Sequence, residues 1–414
     1  MSGSDDGFTL AEITQLEGLR STRAIVNLDV IEQNVRLIRQ SLTPGAHLIA
    51  VVKANGYGHG ALFVAKSAIA AGASMLAVAV VSEGVILRRH GILAPIIILG
   101  PIDPSEYIIA IENGLTLALG SLASVNAVNA CANDSGRTAH VHLKIDTGMH
   151  RYGCAPDDAV AIAQAITSSR NLWLEGVFTH FACADESDDL PTLAQATLFD
   201  QCLSDIASAG ISVQLKHAAN SAATLRSRRY DYDAVRLGIA MYGIAPSNDV
   251  ALLPGMKPAM RLTSRVTRLF ELQPGERVSY GGTYIADRVE RVALIPCGYA
   301  DGYRRSLSNI GTLGHGNSPL TVRGRVAMDQ MIVGVPDDDD IAVGDAVTVI
   351  GVGDDAAPTM EQIAAQVGTI GYEICTAIAA RVPRVYIKSG QIGGIDDLTG
   401  PRETSSSQTH QRSR

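Results

Sequence analysis

Short apolar runs alternate with amphipathic segments from Ala24 to Gly238, and this alternation limits the possible folds more than any other feature. The runs have the composition of parallel strands buried on both faces. Strands alternating with helices predict a parallel sheet, and this many units in about 215 residues favour a (β/α)8 barrel. The runs are AIVNL, HLIAVVK, MLAVAV, PIIILG, LTLALG, HVHLKID, LWLEGVFTHF, VQLKHA and AVRLGI.

These nine strand candidates exceed the eight that a barrel needs. We therefore expect the first run, Ala24–Leu28, to leave the barrel and join another sheet. A doubly wound sheet is the alternative fold. Its glycine fingerprint is missing, because Phe63 stands where that fingerprint requires glycine.

After residue 243 the runs become strand-like, without crossover helices, and turn signals such as Gln273-Pro274-Gly275 separate them. This pattern predicts a mostly antiparallel β domain. The acidic run Asp337–Asp340 is expected to be a solvated turn, and no metal site is expected. The expected organisation is a flexible extension over 1–20, the barrel over 21–244, the β domain over 245–388 and a polar, Ser-rich, disordered tail over 389–414.

Composition argues against several classes of partner. A hydrophobic content of 46% with 40 glycines is typical of a globular α/β enzyme. The net charge of −8, without a basic cluster, argues against nucleic acid. No apolar run reaches the ~18 residues of a membrane helix, so no membrane partner is expected. The six cysteines lack Cys-x-x-Cys spacing and the start MSGSDDGF lacks a signal-peptide pattern, so we expect reduced thiols and a cytoplasmic location.

Lys53 is the first candidate for chemistry, because it ends the buried run His47–Val52. An unpaired ammonium in such a position is costly. Two explanations are open. Lys53 pairs with a carboxylate from a neighbouring strand, or its amine is desolvated and acts as a nucleophile that forms a Schiff base.

Other polar residues fall at the carboxyl ends of the predicted strands, where a barrel has its active site. Ser221 and the amides of Gly238 and Ile239 follow the last two strands, where barrels usually hold a phosphate. A phosphate site opposite a nucleophilic lysine suggests pyridoxal phosphate. The remaining candidates at this rim are Tyr57, Lys144, Asp146, Arg151, Thr179, His180, Asn220 and Arg236.

Each of these residues also has a structural explanation. His180 would be an interior histidine bonded to a backbone carbonyl, and Arg236 would neutralise a barrel carboxylate. Ser221 would cap the helix after its strand, and Lys144 would pair with an acid such as Asp146. The convergence of the candidates on one rim favours an active site.

The same residues lie in a series of motifs that resembles the alanine racemase family, in the family's order, from about Ala24 to Ile387. The resemblance implies a pyridoxal-phosphate-dependent homodimer with shared active sites, whose first strand pairs with the carboxyl-terminal β domain. The motifs are VVKANGYGHG, KIDTGMHRYG, THFACADE, HAANSAA, RLGIAMYG, VSYGGTY, CGYADGY, GRVAMDQM and GYEICTAIAARVPR.

The resemblance also implies roles for individual residues. Lys53 would bind the cofactor and Arg236 would face its pyridine nitrogen. Arg151 would orient the substrate carboxylate, fixed by a carbamate on Lys144. The cofactor phosphate would be held by Tyr57, Ser221, Gly238, Ile239 and Tyr372. The β domain of the other subunit would supply Tyr280 with Met328 and Tyr299. The entry corridor would be narrowed by Asp185, Arg305, Arg325 and Ile370. One departure is Gly371, where the family commonly has asparagine.

These roles imply that the protein interconverts L-alanine and D-alanine with two proton carriers, Lys53 and Tyr280, and supplies D-alanine for peptidoglycan. A phenol with a pKa of ~10 needs a cationic neighbour to transfer protons well, and the chain Tyr280–His180–Arg236 would supply one. An arginine with a pKa above ~12 does not protonate the pyridine nitrogen, which disfavours transamination. The alternatives are a racemase of another small amino acid such as serine, a barrel decarboxylase and a non-catalytic pyridoxal-phosphate carrier.

Overall fold

The structure, a computed structural model, describes residues 18–404. These residues form two compact units, one of 32–56 and 64–256 and the other of 18–31, 57–63 and 257–404. Most of the extension expected over 1–20 lies outside the described residues. Its last residue, Arg20, pairs with Asp301 and donates to the carbonyl oxygen of Pro296 at 3.0 Å. Arg20 itself is therefore held in place.

The first strand, β1 (Arg23–Asn27), lies outside the barrel. The next eight strands pair in parallel and close into a barrel, in which the last strand returns to pair with the first. They are β2 (His47–Val51), β3 (Met75–Val78), β4 (Ile96–Ile98), β5 (Thr116–Leu119), β6 (Ala139–Lys144), β7 (Leu172–Phe178), β8 (Leu215–His217) and β9 (Ala234–Leu237). The α-helices up to β9 are α1 (Leu28–Ser41), α2 (Ala61–Ala70), α3 (Val81–Arg89), α4 (Tyr107–Glu112), α5 (Leu122–Ser135), α6 (Ala159–Ser168), α7 (Leu190–Ser208) and α8 (Ser221–Arg226).

Local sequence explains why these helices form. Helix α1 places Ile31, Val35 and Ile38 on one face, and all three are fully buried. Helix α5 begins after Ser121, whose side chain accepts a hydrogen bond from the amide of Ser124 at 3.1 Å. It ends at Gly136, whose φ of 64° suits glycine.

The other unit is built on an eleven-stranded, mostly antiparallel sheet. Strand β1 lies between β10 and β19, antiparallel to the first and parallel to the second. The predicted fold class, a (β/α)8 barrel followed by a mostly antiparallel β domain, is confirmed. The later strands are β10 (Met260–Arg265), β11 (Arg268–Leu272), β12 (Arg277–Val278), β13 (Tyr284–Ile285), β14 (Glu290–Ile295), β15 (Thr312–His315), β16 (Ser318–Arg323), β17 (Met331–Gly334), β18 (Ala346–Ile350) and β19 (Arg384–Lys388). The later α-helices are α9 (Met360–Val367) and α10 (Gly371–Thr376).

The segment after residue 388, expected to be a disordered tail over 389–414, is instead ordered as far as residue 404. Strands β20 (Gln391–Asp397) and β21 (Gly400–Glu403) extend the sheet beyond β19. The physical reason is that Ile392 and Ile395 pack in an apolar cluster with Ile25 of β1. Residues 405–414 lie outside the described part of the chain.

The acidic run Asp337–Asp340 also differs from expectation, because Asp339 is buried. Its carboxylate accepts hydrogen bonds from the ring Nδ1 of His315 at 2.8 Å and from the amide of Ile341 at 2.9 Å. The side chain therefore stabilises the turn from inside. Across residues 18–404, every helix is too short or too polar to cross a lipid bilayer.

Candidate active site

Lys53 follows β2 and opens a turn of unusual hand. The φ angles of Ala54, Asn55, Gly56 and Tyr57 are 51°, 51°, 61° and 50°. The amide of Gly56 donates to the carbonyl oxygen of Val52 at 2.8 Å, which closes the turn. Because L-amino acids disfavour this left-handed conformation, its use directly after Lys53 indicates a functional constraint.

The amine of Lys53 lies in an electropositive environment. Burial first, and then Arg151 and Arg236, lower its pKa, whereas Glu83 raises it. No carboxylate of the described residues lies within ion-pair distance of this amine. Of the two explanations given by the sequence, the structure favours a desolvated amine over an ion pair.

Arg236, on β9, is 2% exposed and lies at the centre of a hydrogen-bond network. Its NH1 atom contacts Nδ1 of His217 at 2.7 Å, and its NH2 atom contacts Nδ1 of His180 at 3.0 Å. NH2 also donates to the carbonyl oxygens of Thr179 and Ala218, at 2.9 and 2.7 Å. All of these partners are neutral. The alternative explanation from the sequence, that Arg236 neutralises a barrel carboxylate, was therefore wrong.

Burial, and then the charge of Arg151, lower the pKa of Arg236 to about 9. The guanidinium therefore remains charged at neutral pH. Burial, followed by the nearby cations, lowers the pKa values of His180 and His217 well below the usual histidine range. Both imidazoles are thus neutral, and each accepts from Arg236 at Nδ1 and carries its proton on Nε2.

The network continues from His217 to a carboxylate that sequence reasoning missed. His217 Nε2 lies 2.9 Å from His142 Nδ1, and His142 Nε2 lies 3.4 Å from Glu175 Oε2. Since Arg236 only donates, the protons in its contact with His217 and in the contact of His217 with His142 both point away from the arginine. His142 Nε2 lies near the carboxylate of Glu175 but makes no hydrogen bond with the described residues. The neighbouring His142 is the main cause that lowers the pKa of Glu175, which keeps the carboxylate ionised.

A β-bulge creates this arrangement. Val141 pairs with Leu174 and His142 with Gly176, so Glu175 is an extra residue in β7. At Gly176 a Cβ atom would lie 2.7 Å from the ring Cε1 of His142. Glycine is therefore required for the His142 ring to lie against β7. The bulge leaves no signal in the sequence, although HVHLKID and HAANSAA contain the two histidines.

The loops after β8 and β9 meet at Ser221. Its Oγ accepts from the amides of Gly238 at 2.9 Å and Ala240 at 3.4 Å. The N-cap of α8 is Asn220, which accepts from the amide of Ala223 at 3.0 Å. The expectation that Ser221 caps this helix was therefore wrong, and its hydroxyl proton is available to a ligand.

Lys144 ends β6 and is 4% exposed. Burial first, then Arg236 and Arg151, lower its pKa to about 7. Asp146 opposes this shift from a distance but does not pair with the amine, contrary to the expected ion pair. Asp146 instead accepts from the amides of Gly148, Met149 and His150, at 3.1, 3.0 and 3.0 Å, and so shapes the loop that leads to Arg151.

Four cations of the barrel unit therefore act on one another without a carboxylate partner. They are Lys53, Lys144, Arg151 and Arg236. Within residues 18–404, none of the four forms an ion pair with an acid. Lys144 and Arg236 are buried, and uncompensated buried charge is costly, so the arrangement is suited to an anionic ligand.

The β unit carries the remaining candidates. Tyr57 is buried, and its ring centroid lies 6.1 Å from that of Tyr372. The backbone brings Tyr299 and Met328 together, because the amide of Tyr299 donates to Ala327 at 3.0 Å and that of Ala300 to Met328 at 3.0 Å. Four large apolar candidates of the β unit are exposed to solvent. Their exposed fractions are 71% for Tyr280, 52% for Met328, 41% for Tyr299 and 56% for Ile370.

Two expected corridor residues have defined backbone contacts. The carbonyl oxygen of Arg325 accepts from the hydroxyl of Ser279 at 2.6 Å, next to Tyr280. The carbonyl oxygen of Asp185 accepts from the hydroxyl of Ser247 at 2.5 Å. Arg305 opens a short 3-10 turn over Arg305–Leu307 in the β unit.

The sequence matches two family models. Residues 26–246 match the model described as "Alanine racemase, N-terminal domain", and residues 259–386 match "Alanine racemase, C-terminal domain". The alanine racemase of Symbiobacterium thermophilum is 42% identical over 371 residues, which are 90% of this chain and 98% of that protein. That of Thermobifida fusca is 40% identical over 88% of this chain and 97% of that protein.

Solved structures of alanine racemases are also similar to this chain. The alanine racemase of Clostridium difficile has a TM-score of 0.87 and 36% identity, covering 91% of this chain and 98% of that one. The Bacillus anthracis enzyme "with bound L-Ala-P" has a TM-score of 0.87 and 36% identity, covering 92% of this chain and 98% of that one. The chain belongs to the alanine racemase family and is an amino-acid racemase, an isomerase.

Proposed function

We propose that this enzyme interconverts L-alanine and D-alanine with pyridoxal 5'-phosphate as cofactor and with Lys53 and Tyr280 as its two proton carriers. One observation carries the proposal. Lys53, Lys144, Arg151 and Arg236 act on one another, and within residues 18–404 none of them forms an ion pair with an acid. A cofactor phosphate and a substrate carboxylate would supply the missing negative charge.

The donor set of the barrel unit fits this cofactor. Lys53 offers a desolvated amine for its aldehyde, and the buried Ser221 offers a hydroxyl proton for its phosphate, beside Gly238 and Ile239. Arg236 would face the ring nitrogen with its Nε–H group, because its NH1 and NH2 groups already donate to His217, Thr179 and Ala218. Tyr57 and Tyr372 of the β unit are proposed as further phosphate ligands. When bound, pyridoxal phosphate draws electrons from the substrate and lowers the pKa of its Cα–H bond.

Lys53 is proposed to hold and move the proton on one face of the substrate. Burial and the neighbouring arginines lower the pKa of its amine, which favours the neutral, basic form. It would take the α-proton from D-alanine and return one when L-alanine is the substrate. One amine cannot serve both faces, so racemisation needs a second carrier.

Tyr280 of the partner subunit is proposed as that second carrier. Its ring is 71% exposed in the single chain, as a residue that completes another subunit's site would be. His180 carries its proton on Nε2, because Arg236 occupies Nδ1. That Nε2–H group would donate to the phenolate oxygen and stabilise it during proton transfer.

Arg236 is proposed to bind the ring nitrogen without protonating it. With a pKa of about 9, its guanidinium keeps its own proton at neutral pH. The weak proton donation disfavours transamination. Arg236 also orients His180 through NH2. One side chain would thus limit a side reaction and position the residue that assists the second proton carrier.

Arg151 is proposed to orient the substrate carboxylate, with Tyr299 and Met328 of the partner limiting the size of the substrate side chain. Lys144 has a pKa of about 7, so its neutral amine is present at neutral pH and can add to carbon dioxide. The resulting carbamate would carry negative charge toward Arg151 and release one proton. Asp185, Arg305, Arg325 and Ile370 are proposed to narrow the entry corridor.

Serine is the alternative substrate, and size exclusion by Tyr372 favours alanine. Membership of a racemase family rules out the non-catalytic carrier and the decarboxylase. We further propose a cytoplasmic homodimer that supplies D-alanine for peptidoglycan. The cysteines are all free, which suits a reducing compartment.

The proposed function is tested by incubating the enzyme with L-alanine or L-serine in deuterated water, with and without pyridoxal phosphate. We expect L-alanine to lose optical rotation and gain α-deuterium only with the cofactor, and faster than L-serine. Borohydride reduction followed by peptide mapping should label Lys53. Faster turnover of serine, or a label on another lysine, would contradict the proposal.

A further inference from the structure

Glu83 joins two loops at the rim of the barrel through its two carboxylate oxygens. Oε2 accepts from the amides of Ala79 at 2.9 Å and Val80 at 3.4 Å, which caps the first turn of α3. Oε1 accepts from the amide of Ala54 at 2.6 Å. Capping explains the first set of contacts but does not explain the second.

The contact to Ala54 supports a strained segment. Ala54 and Asn55 both have φ values of 51°, a left-handed helical conformation that residues other than glycine disfavour. The hydrogen bond from Gly56 to Val52 closes the turn from within. The hydrogen bond to Glu83 holds it from the neighbouring strand-to-helix loop, directly beside Lys53.

Glu83 is also the acid that acts on Lys53. The charged groups that act on the lysine amine are Arg151, Glu83 and Arg236, and only Glu83 favours the ammonium. The nearby His180 is neutral and adds no charge. Loss of Glu83 would therefore leave the lysine with cationic neighbours alone.

We propose that Glu83 is a positioning residue for Lys53, which holds the left-handed turn through the amide of Ala54 and balances the cations around the lysine amine. This inference rests on the proposed role of Lys53 as a proton carrier. It adds a second function to a residue that also caps the first turn of α3.

Two variants separate the two effects. Glu83→Gln keeps an oxygen that can accept from Ala54 but loses the charge, whereas Glu83→Ala loses both. Glu112→Gln, on the exposed side of α4, removes the same charge elsewhere and serves as the control. All are studied as full-length holoenzymes.

Hydrogen exchange tests the structural effect without using activity. In Glu83→Ala we expect the amides of residues 54–56 to exchange about tenfold faster than in wild type, as for the loss of one hydrogen bond to a charged group. Glu83→Gln should stay within about threefold, because the amide oxygen still accepts. The control should match wild type.

The pH dependence of kcat in each direction tests the charge effect. Lys53 is the base toward D-alanine and the acid toward L-alanine. Loss of the Glu83 charge should lower the pKa of Lys53. In Glu83→Gln the acidic limb of the pH profile for D-to-L conversion should therefore move to lower pH by about half a unit or more. The alkaline limb of the profile for L-to-D conversion should move in the same direction. A merely structural role would lower both rates without moving either limb.

The outcome is separable from that of the proposed function. If wild type racemises alanine and borohydride labels Lys53, the proposed function stands whatever the variants do. Unchanged exchange at 54–56 in Glu83→Ala together with unmoved limbs in Glu83→Gln would then overturn the inference alone. If Glu83→Ala does not fold, the pH profiles of kcat for Glu83→Gln alone decide whether the inference stands.

Discussion

The Nδ1 atom of His142 lies 2.9 Å from the Nε2 atom of His217, inside the barrel and away from solvent. Through this contact the buried Arg236 is linked, by hydrogen bonds of a single direction, to His142, whose Nε2 atom lies 3.4 Å from the carboxylate of Glu175. The arginine has no acid of its own among the described residues. This relay, which runs from Arg236 through His217 to His142, ends beside a distant negative charge that can stabilise the arginine.

The relay depends on Gly176, so Gly176→Ala should destabilise the fold. The new Cβ would lie 2.7 Å from both the His142 ring and the carbonyl oxygen of Leu215. We expect a loss of about 1–3 kcal/mol in the free energy of unfolding, measured by urea denaturation. Gly100→Ala, where no atom lies within 4 Å of the added Cβ, is the control and should be near neutral. Equal stability of the two variants would show that the His142 ring does not need this space.

Replacement of Arg236 should change the balance between racemisation and transamination. In Arg236→Glu a carboxyl group would replace the guanidinium and could protonate the ring nitrogen. We expect less D-alanine formed for each pyruvate formed, measured from L-alanine by chromatography. Arg236→Lys keeps the charge and should retain more of the wild-type ratio. An unchanged ratio in Arg236→Glu would remove this account of the arginine.

Lys144 should make stability depend on pH in a defined window. Its pKa is about 7 in the folded protein and 10.5 is the ordinary value, so the unfolded chain binds more protons between these pH values. In carbon-dioxide-free buffer, stability should therefore rise as the pH increases from about 7 to about 10.5. Lys144→Met should reduce this rise, measured by denaturation at each pH. An identical rise in both proteins would show that the lysine is not desolvated.

The sequence predicted the parts of the site that depend on strand ends. Lys53 and Arg236 are polar residues at the ends of apolar runs, and in a parallel barrel such residues share one rim. It did not predict the contact between Glu175 and His142, because the extra residue in β7 changes the register without changing the composition. Glu83 was missed for a similar reason, since its contact with Ala54 depends on a turn of the opposite hand.

The order of the segment after residue 388 was also hidden in the sequence. QIGGIDD contains only two large apolar residues, and its glycines and acids resemble a loop. Ile392 and Ile395 nevertheless become part of an apolar cluster once β1 and β19 lie side by side. A strand of this kind is stabilised by a surface that exists only in the folded protein.

Shared active sites predict complementation between two inactive variants. Lys53→Ala and Tyr280→Phe should each lack racemase activity. In a hybrid dimer, one of the two sites would have both an intact Lys53 and an intact Tyr280. Random reassociation of equal amounts should recover about a quarter of the wild-type activity. No recovery, with hybrid dimers shown by mass spectrometry, would place both residues in the same subunit's site.

The most direct test of the two-carrier account is the α-proton exchange of each enantiomer by Tyr280→Phe in deuterated water. Lys53 remains in this variant, so D-alanine should gain α-deuterium with its configuration retained, whereas L-alanine should neither exchange nor racemise. Cofactor content should equal that of wild type. Exchange of both enantiomers at similar rates, or racemisation near the wild-type rate, would contradict the account.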